Sequence, residues 1–298
     1  MSVEKIDISK YTNNLLKEKK VWYVAIIWRP NVGKSTFINS LLWEKVSITS
    51  SIPQTTRKRV LAIYNDDDSQ IIFFDTPWIH KNDKKFNEKI NKEAIKSLRE
   101  SDLVLYFIDS SRIFWNEEKE IEKILEFVNV KIIKVYTKID LETKLDIKDT
   151  DEIVKISSTN KIWFDELIKK IKSNLNLGQM YYPEDYYTDQ DMYFRISEII
   201  REKVFLNTKE EIPHSIYVDI EEIDDSWDIF KIQSYIYTET DSQRYIIIWK
   251  NWDLITKIWK EARIELEWIF DKKVFLSLRV KTLPKWRKND KIINSILK

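Results

Sequence analysis

The chain has 298 residues, of which 43% are hydrophobic, and this is enough for the cores of two ordinary domains. Its 50 Lys and Arg nearly balance its 49 Asp and Glu, so the net charge of +1 indicates no class of partner. The absence of cysteine excludes a disulfide framework and thiolate metal sites. No signal-peptide core opens the chain, and no run approaches the roughly 18 apolar residues of a membrane span. We therefore expect a cytoplasmic protein that does not cross a membrane.

Glycine is scarce in this chain, and tryptophan is abundant. A usual share of about 7% would give roughly 20 glycines, yet the chain has 2 Gly beside 12 Trp. We hypothesise that the gene uses UGA for glycine and that a table reading UGA as tryptophan produced this sequence. The hypothesis predicts Trp where the backbone requires glycine. The alternative, a Trp-rich core or stacking surface, predicts Trp on apolar faces.

The first predicted element is a buried strand over residues 21–27, followed by the loop WRPNVGKST at residues 28–36 and a helix over residues 35–42. The loop differs from the phosphate-binding pattern G-x-x-x-x-G-K-[ST] only at Trp28. In such a loop Lys34 reaches the β- and γ-phosphates, Ser35 coordinates magnesium, and backbone amides surround the phosphate oxygens. The predicted phosphate-binding residues are Trp28, Asn31, Val32, Gly33, Lys34, Ser35 and Thr36.

Three further apolar runs, over residues 70–74, 103–108 and 131–136, are typical of buried strands. The first run ends at Asp75, which we interpret as a magnesium partner beside the phosphate loop; a simple acidic strand end is the alternative. Because helical segments such as residues 117–127 lie between these runs, the pattern predicts an α/β domain with a mainly parallel sheet flanked by helices.

Residues 137–140 (TKID) and 156–158 (ISS) follow in the order of two base-recognition motifs. The first is similar to the N-K-x-D motif of translational-type GTPases, and the second resembles their S-A motif. The resemblance implies that Asp140 accepts hydrogen bonds from guanine, that Thr137, Lys138, Ser157 and Ser158 complete the base site, and that GTP and GDP are the nucleotides. Thr137 offers fewer contacts than the usual Asn, since a hydroxyl replaces an amide.

Residues 53–57 (PQTTR) and 75–78 (DTPW) resemble the switch I and switch II segments of the Era family. The resemblance implies a Mg²⁺-dependent GTPase in which Thr56 closes on magnesium and the amide of Trp78 meets the γ-phosphate. Ile79 stands where many GTPases have the glutamine that orients the attacking water. The implied catalytic residues are Lys34, Asp75, Thr56 and Trp78, and the implied metal ligands are Ser35, Thr56 and Asp75.

Asn31 has two interpretations. In relatives within the Era family an asparagine at this place can hold a K⁺ ion that substitutes for an arginine finger. The alternative is an asparagine that only caps the loop. K⁺ is therefore an additional candidate cofactor.

The second half of the chain follows a predicted linker at residues 178–190. The pattern then predicts a helix over residues 191–207, strands over 215–223 and 229–238, a turn at 241–243, a helix from residue 253 and a last strand over 273–280.

Residues 249–252 (WKNW) become G-K-N-G if glycine is restored, and this resembles the G-x-x-G loop of a type II KH domain, an α+β fold. Such a loop clamps the backbone of about four nucleotides. Residues 244–298 carry 14 Lys and Arg against 6 Asp and Glu, which suits a phosphate backbone, although a solvated helix face would show similar charge. The predicted RNA-binding residues are Trp249, Lys250, Asn251 and Trp252.

The resemblance to the Era family implies a GTPase domain at residues 1–177 and a KH domain at 191–298. It implies hydrolysis of GTP to GDP and phosphate, binding of 16S ribosomal RNA, a role in small ribosomal subunit assembly and a monomer. It leaves open a peripheral contact with the inner face of the cell membrane. The alternative, which holds if the tryptophans are real, is a non-hydrolysing RNA-binding scaffold with a degenerate nucleotide site.

Eight tryptophans fall where Era-like sequences usually carry glycine, whereas Trp286 matches a true tryptophan of the family. The comparison leaves Trp115, Trp227 and Trp268 undecided. The eight positions are Trp22, Trp28, Trp43, Trp78, Trp163, Trp249, Trp252 and Trp259.

Overall fold

The computed structural model describes residues 18–49, 57–77, 85–148, 150–226, 228–248 and 252–297. Contacts within the chain define two compact units. The first unit comprises Met1–Ser47, Thr56–Asn82 and Asn87–Asp189, and the second comprises Ile48–Thr55, Asp83–Phe86 and Gln190–Lys298. The domain limits expected from the sequence stay a prediction.

The first unit is built on a seven-stranded sheet. Six strands follow the order β2-β3-β1-β4-β5-β6, and β7 pairs antiparallel with the start of β1. The pairs β1–β3, β1–β4, β4–β5 and β5–β6 are parallel, whereas β2 is antiparallel to β3. The strands are β1 (Glu18–Trp28), β2 (Val60–Asn65), β3 (Ser69–Asp75), β4 (Leu103–Asp109), β5 (Lys131–Thr137), β6 (Ile153–Lys155) and β7 (Leu177–Gln179).

In the described part of this unit, four helices connect the strands, and the mainly parallel α/β architecture expected from the sequence is confirmed. Strands β3 and β4 are buried along their whole length, as expected for parallel strands that are covered on both faces. The helices are α1 (Lys34–Leu42), α2 (Lys85–Glu100), α3 (Asn116–Leu125) and α4 (Phe164–Lys172).

The second unit contains a three-stranded sheet in the order β10-β9-β8, in which β8 is antiparallel and β10 parallel to β9. The parallel pair requires a long crossover, and α7 and α8 provide it. Its elements are α5 (Met192–Asn207), α6 (Ile212–Ser215), β8 (Tyr217–Asp224), β9 (Ile229–Thr238), α7 (Asp241–Ile248), α8 (Trp252–Phe270), β10 (Lys273–Thr282), a 3₁₀ turn (Trp286–Lys288) and α9 (Asp290–Leu297).

The turn expected at residues 241–243 is wrong, because α7 begins there. Thr240 Oγ1 accepts a hydrogen bond from Gln243 N at 3.3 Å, and Gln243 Oε1 accepts from Glu239 N at 3.0 Å and from Thr240 N at 3.2 Å. These reciprocal bonds form the Ser/Thr-x-x-Glu/Gln capping box of a helix start. Residues 240–243 (TDSQ) therefore match the sequence pattern of a helix start, although their composition is also typical of a turn.

Trp286 is fully buried in the second unit. Its indole N–H donates to the carbonyl of Ser215 at 2.9 Å, and its ring lies 5.9 Å from that of Tyr217. A buried indole whose single donor is satisfied is an ordinary core tryptophan. Among the described residues, no helix combines the length and apolar character needed to cross a bilayer.

Candidate nucleotide-binding site

Four strands of the first sheet end at one edge, three of them at residues of the predicted site and β4 at Asp109. The last residues of β1, β3, β4 and β5 are Trp28, Asp75, Asp109 and Thr137. Because these strands are parallel neighbours, their carboxyl ends share one edge of the sheet, which is where open α/β sheets bind ligands. The sheet therefore brings the separate sequence motifs together.

The loop after β1 has the backbone of a phosphate-binding loop. Asn31 (φ 66°) and Gly33 (φ 95°) both lie in the left-handed region, and Lys34 begins α1. Alternating backbone conformations of this kind turn successive N–H groups toward one point, and the N-terminus of α1 adds its own unpaired amides. The loop can therefore hold an anion through its backbone.

Arg29 anchors this loop to α3. Its guanidinium makes ion pairs with Glu117 at 3.0 Å and Glu118 at 2.7 Å, and it donates to the carbonyl of Ile113 at 3.4 Å. Glu118 also accepts from the backbone N–H of Trp115 at 2.8 Å, which caps α3. This anchor leaves no local signal in the sequence, because Arg29 and Glu118 are 89 positions apart.

The structure brings Lys34 and Asp75 together, and both are almost completely buried. Asp75 pairs with the Lys34 ammonium and accepts a hydrogen bond from the Ser47 hydroxyl. The ring of Trp28 lies 4.0 Å from Lys34 Nζ. Burial holds the pKa of the Lys34 ammonium well below its ordinary value. The Trp28 ring therefore occupies space beside the cation that a phosphate oxygen would need.

The other predicted phosphate-binding residues differ in burial, and two predicted catalytic residues are not described by the structure. Ser35 and Thr36 follow Lys34 on α1 and are partly exposed, whereas Val32 is buried. Two predicted catalytic residues, Thr56 and Trp78, lie outside the described residues.

Thr137 ties the base side of the site to the phosphate loop. Its hydroxyl donates to the carbonyl of Val32 at 2.8 Å, and it is 3.3 Å from the carbonyl of Ile108. Thr137 is itself buried. A threonine in place of the usual asparagine therefore still links the two loops.

Lys138 and Asp109 form an ion pair with an Nζ–Oδ2 distance of 2.7 Å. Ser111 donates to the other carboxylate oxygen of Asp109 from its backbone N–H at 3.0 Å and its hydroxyl at 2.6 Å. Burial opposes ionisation of Asp109, but the hydrogen bonds from Lys138 and Ser111 outweigh it and hold the pKa of Asp109 below its ordinary value. Asp109 was not among the predicted site residues.

Asp140 is exposed at the end of the TKID turn. The turn is connected to the second base motif because Ile139 N donates to the carbonyl of Ile156 at 3.4 Å. Ser157 exchanges two backbone hydrogen bonds with Ile162, and Ser157 and Ser158 are both buried. The two motifs therefore form one surface with an accessible carboxylate.

Among the described residues, two tryptophans adopt backbone conformations that favour glycine. Trp43 follows α1 with φ 57°, and Trp163 precedes α4 with φ 64°. Their side chains are 76% and 56% exposed, so no core packing compensates for the strain. Trp78, Trp227 and Trp249 lie outside the described residues, as do Lys250, Asn251 and the side chain of Trp252.

Comparison with protein families gives two matches. Residues 23–138 match the family described as 50S ribosome-binding GTPase, and residues 211–287 match the KH domain. The first match contains the loop after β1 together with Asp75, Asp109 and Lys138.

The chain also resembles whole proteins. It is 42% identical over 289 residues to GTPase Era of Borrelia garinii subsp. bavariensis, which covers 93% of this chain and 99% of the relative. Its identity to GTPase Era of Thermotoga maritima is 43% over 286 residues, covering 92% and 95% of the two chains.

Two solved structures share the fold. A point variant of Aquifex aeolicus Era bound to GDP·AlF4⁻ superimposes with a TM-score of 0.85 at 36% identity, covering 92% of this chain and 98% of that one. Era in complex with MgGDPNP and nucleotides 1506–1542 of 16S ribosomal RNA gives a TM-score of 0.86 at 36% identity, covering 93% and 98%.

The sheet edge with its phosphate loop and base motif, followed by an α-β-β-α-α-β unit, defines a P-loop GTPase that carries a type II KH domain. The relatives span the same two domains over nearly their full length. The chain belongs to the GTPase Era family. It is therefore a GTPase.

Proposed function

We propose that this GTPase hydrolyses GTP to GDP and phosphate at the edge formed by β1, β3 and β5, and that it acts in small ribosomal subunit assembly. The observation that carries the site assignment is the buried pair of Lys34 and Asp75 beside the loop that Thr137 ties to the base motif. Lys34 would contact the β- and γ-phosphates, and Asp140 would accept the guanine N1 and N2 protons.

The oxygen groups near Asp75 suit magnesium, which prefers carboxylates, hydroxyls and phosphate oxygens. Asp75 is buried and already accepts from Ser47, so its carboxylate is fixed in place. Ser35 and Thr56 would complete the protein ligands. When bound, Mg²⁺ neutralises charge that develops on the phosphate oxygens. K⁺ at Asn31 is a further proposal, supported by the left-handed backbone that presents this residue in the loop.

The remaining catalysis would come from positioning and from charge neutralisation. The buried ammonium of Lys34 and the backbone amides of residues 32–36 hold the phosphates, and the amide of residue 78 would meet the γ-phosphate. Since Ile79 replaces the water-orienting glutamine, we expect slow turnover by the chain alone.

The identity of residue 28 decides whether this chemistry is available. We propose that residues 28, 43 and 163, together with 22, 78, 249, 252 and 259, are glycine in the native protein. The support is the crowding of Lys34 by the Trp28 ring and the left-handed backbone at Trp43 and Trp163. Mass spectrometry of peptides from the native protein tests this directly. Glycine at residues 28 and 78 would give the phosphate loop and the switch II segment their usual residues. Tryptophan there would favour the non-hydrolysing scaffold.

Guanine recognition by Asp140 is tested with Asp140→Asn. In this variant the ratio of GTP to ATP affinity should fall by about a hundredfold, because the amide of Asn cannot accept both guanine hydrogen bonds as the Asp140 carboxylate would. Competition binding with both nucleotides measures the ratio. An unchanged ratio would show that another residue reads the base.

Binding of 16S ribosomal RNA is proposed from the relative that was solved with nucleotides 1506–1542 of that RNA. The excess of Lys and Arg over residues 244–298 supports it. Replacing Lys250 with Glu and Asn251 with Asp should weaken binding of that fragment strongly, as measured by filter binding at fixed salt. Intact affinity would refute the assignment of the loop.

The family likeness also supports a monomer in the cytoplasm, and light scattering of the purified chain would test this. Peripheral contact with the inner face of the membrane is a separate proposal. Sedimentation with anionic vesicles, with and without GTP, would test it.

A further inference from the structure

Asp109 ends β4 beside the base motif, and the reaction described above gives it no role. The residue is only 5% exposed. One carboxylate oxygen accepts from Lys138 Nζ at 2.7 Å, and the other accepts from the N–H and hydroxyl of Ser111. Arg112 lies 3.5 Å from the oxygen that faces Lys138. Both oxygens of this buried carboxylate therefore accept hydrogen bonds. One bond comes from Lys138 in the TKID turn, and the others come from Ser111, just after β4.

Ser110, the residue after Asp109, also contacts the TKID turn. The backbone N–H and the hydroxyl of Ser110 donate to the carbonyl of Thr137 at 3.1 Å and 2.8 Å. The Ser110 carbonyl accepts from the backbone N–H of Lys144 at 2.8 Å, just beyond the TKID turn. Residues 109 and 110 thus contact the motif through its side chains and its backbone.

The TKID turn needs such contacts because its backbone is strained. Lys138 has φ 59°, in the left-handed region that residues other than glycine adopt at a cost. A conformation of this kind persists when the surrounding structure holds it. The ion pair with Asp109 holds the side chain of the strained residue itself, two positions before Asp140.

We propose that Asp109 is a positioning residue for guanine recognition, acting through Lys138; this inference rests on the proposed role of Asp140. With Lys138 held, the Asp140 carboxylate faces the base with both oxygens able to accept. Without the ion pair the turn relaxes, and Asp140 loses the orientation that serves guanine N1 and N2 together.

The test uses Asp109→Asn in the full chain, with GDP and IDP as ligands. Inosine lacks the N2 amino group, so the GDP-to-IDP affinity ratio reports whether Asp140 engages both guanine protons. Asp109→Asn should lower this ratio and should speed GDP release about tenfold, as expected for one lost charge-assisted hydrogen bond. A purely structural role would speed the release of GDP and IDP equally.

Three further variants make the result decisive. Lys138→Met removes the other partner and should lower the ratio to the same extent, and the double variant should be no worse than either single one. Asp102→Asn is the matched control: it lies just before the opposite end of β4, accepts from Tyr23 N at 2.9 Å, and should leave the ratio unchanged.

An unchanged GDP-to-IDP ratio in Asp109→Asn and Lys138→Met would overturn the proposal, and so would additive effects in the double variant. Asp140→Asn, measured in parallel, distinguishes a failure of the role proposed for Asp109 from a failure of the role proposed for Asp140. If it collapses the ratio while Asp109→Asn does not, only the role of Asp109 fails. If it leaves the ratio unchanged, the assignment of Asp140 fails as well.

Discussion

The phosphate side and the base side of the nucleotide site are built from the same sheet edge but respond differently to the unusual composition of this chain. On the phosphate side the Trp28 ring lies against Lys34, the residue that we propose to hold the β- and γ-phosphates. On the base side Thr137, Lys138 and Asp109 make their contacts through hydroxyl, ammonium and carboxylate groups. We therefore expect a bulky side chain at a glycine position to impair a site built from backbone amides more than one built from side chains.

Among the effects on nucleotide binding, the greatest is expected at residue 28. In a chain made with tryptophan there, Trp28→Gly should increase GTP affinity by about a hundredfold or more, because the ring leaves the space beside a key phosphate-binding cation. Isothermal titration with a non-hydrolysable GTP analogue measures this. Trp22→Gly, on the same strand but away from Lys34, is the control and should not increase affinity. Equal affinities for the chains with tryptophan and with glycine at residue 28 would show that the Trp28 ring does not obstruct nucleotide binding.

A smaller effect is expected where the two sides are tied together. Thr137→Val keeps the shape but removes the hydroxyl that donates to Val32, so GDP release should speed up about tenfold. Stopped-flow release of a fluorescent GDP measures the rate. The matched control is Thr208→Val in the second unit, where a buried hydroxyl likewise donates to a carbonyl, that of Val204. If the two variants release GDP at the same rate, the hydrogen bond from Thr137 to Val32 has no role in nucleotide binding.

Two tryptophans outside the phosphate loop are expected to affect the stability of the first unit. Trp43→Gly and Trp163→Gly should each stabilise the first unit by about 1 kcal/mol, since a side chain in the left-handed region costs roughly that much. Trp286→Gly should instead destabilise the second unit by about 3–5 kcal/mol, because it empties a packed core site. Urea unfolding measures all three, and a loss of stability at residues 43 and 163 would argue for true tryptophans there.

The smallest effect concerns pH. The folded pKa of Asp109 lies below its ordinary value of 3.8, so its ionised carboxylate stabilises the fold above that value and the contribution is lost as the pH falls through the folded pKa. Asp109→Asn should therefore lower Tm at pH 7 by about 2–4 °C, as expected for roughly 1 kcal/mol in a domain of this size. The Tm difference should vanish at the acid end of a calorimetric series; a constant difference would exclude the ion pair as its source.

Much of this fold could be read from local pattern. The apolar runs around Val24, Ile72 and Leu105 are buried strands because helices cover both faces of a parallel sheet, and Lys34 and Asp75 meet because parallel strands end together. The motif letters thus predicted which residues would converge.

The missed features depend on contacts that are distant in sequence. Asp109 reaches Lys138 across 29 positions and Arg29 reaches Glu118 across 89, and neither pairing leaves a local signal. The helix at residues 241–248 was missed for a different reason, because Asp and Ser favour turns and helix starts alike.

Trp286 has a spectroscopic consequence. Its indole is shielded from water and its N–H is paired, so its fluorescence should be shifted to the blue and insensitive to iodide. Every position that proves to be glycine removes one competing fluorophore, among them the exposed indoles of Trp43 and Trp163. The native protein would then carry, in the core of its second unit, an intrinsic optical reporter of that unit's unfolding.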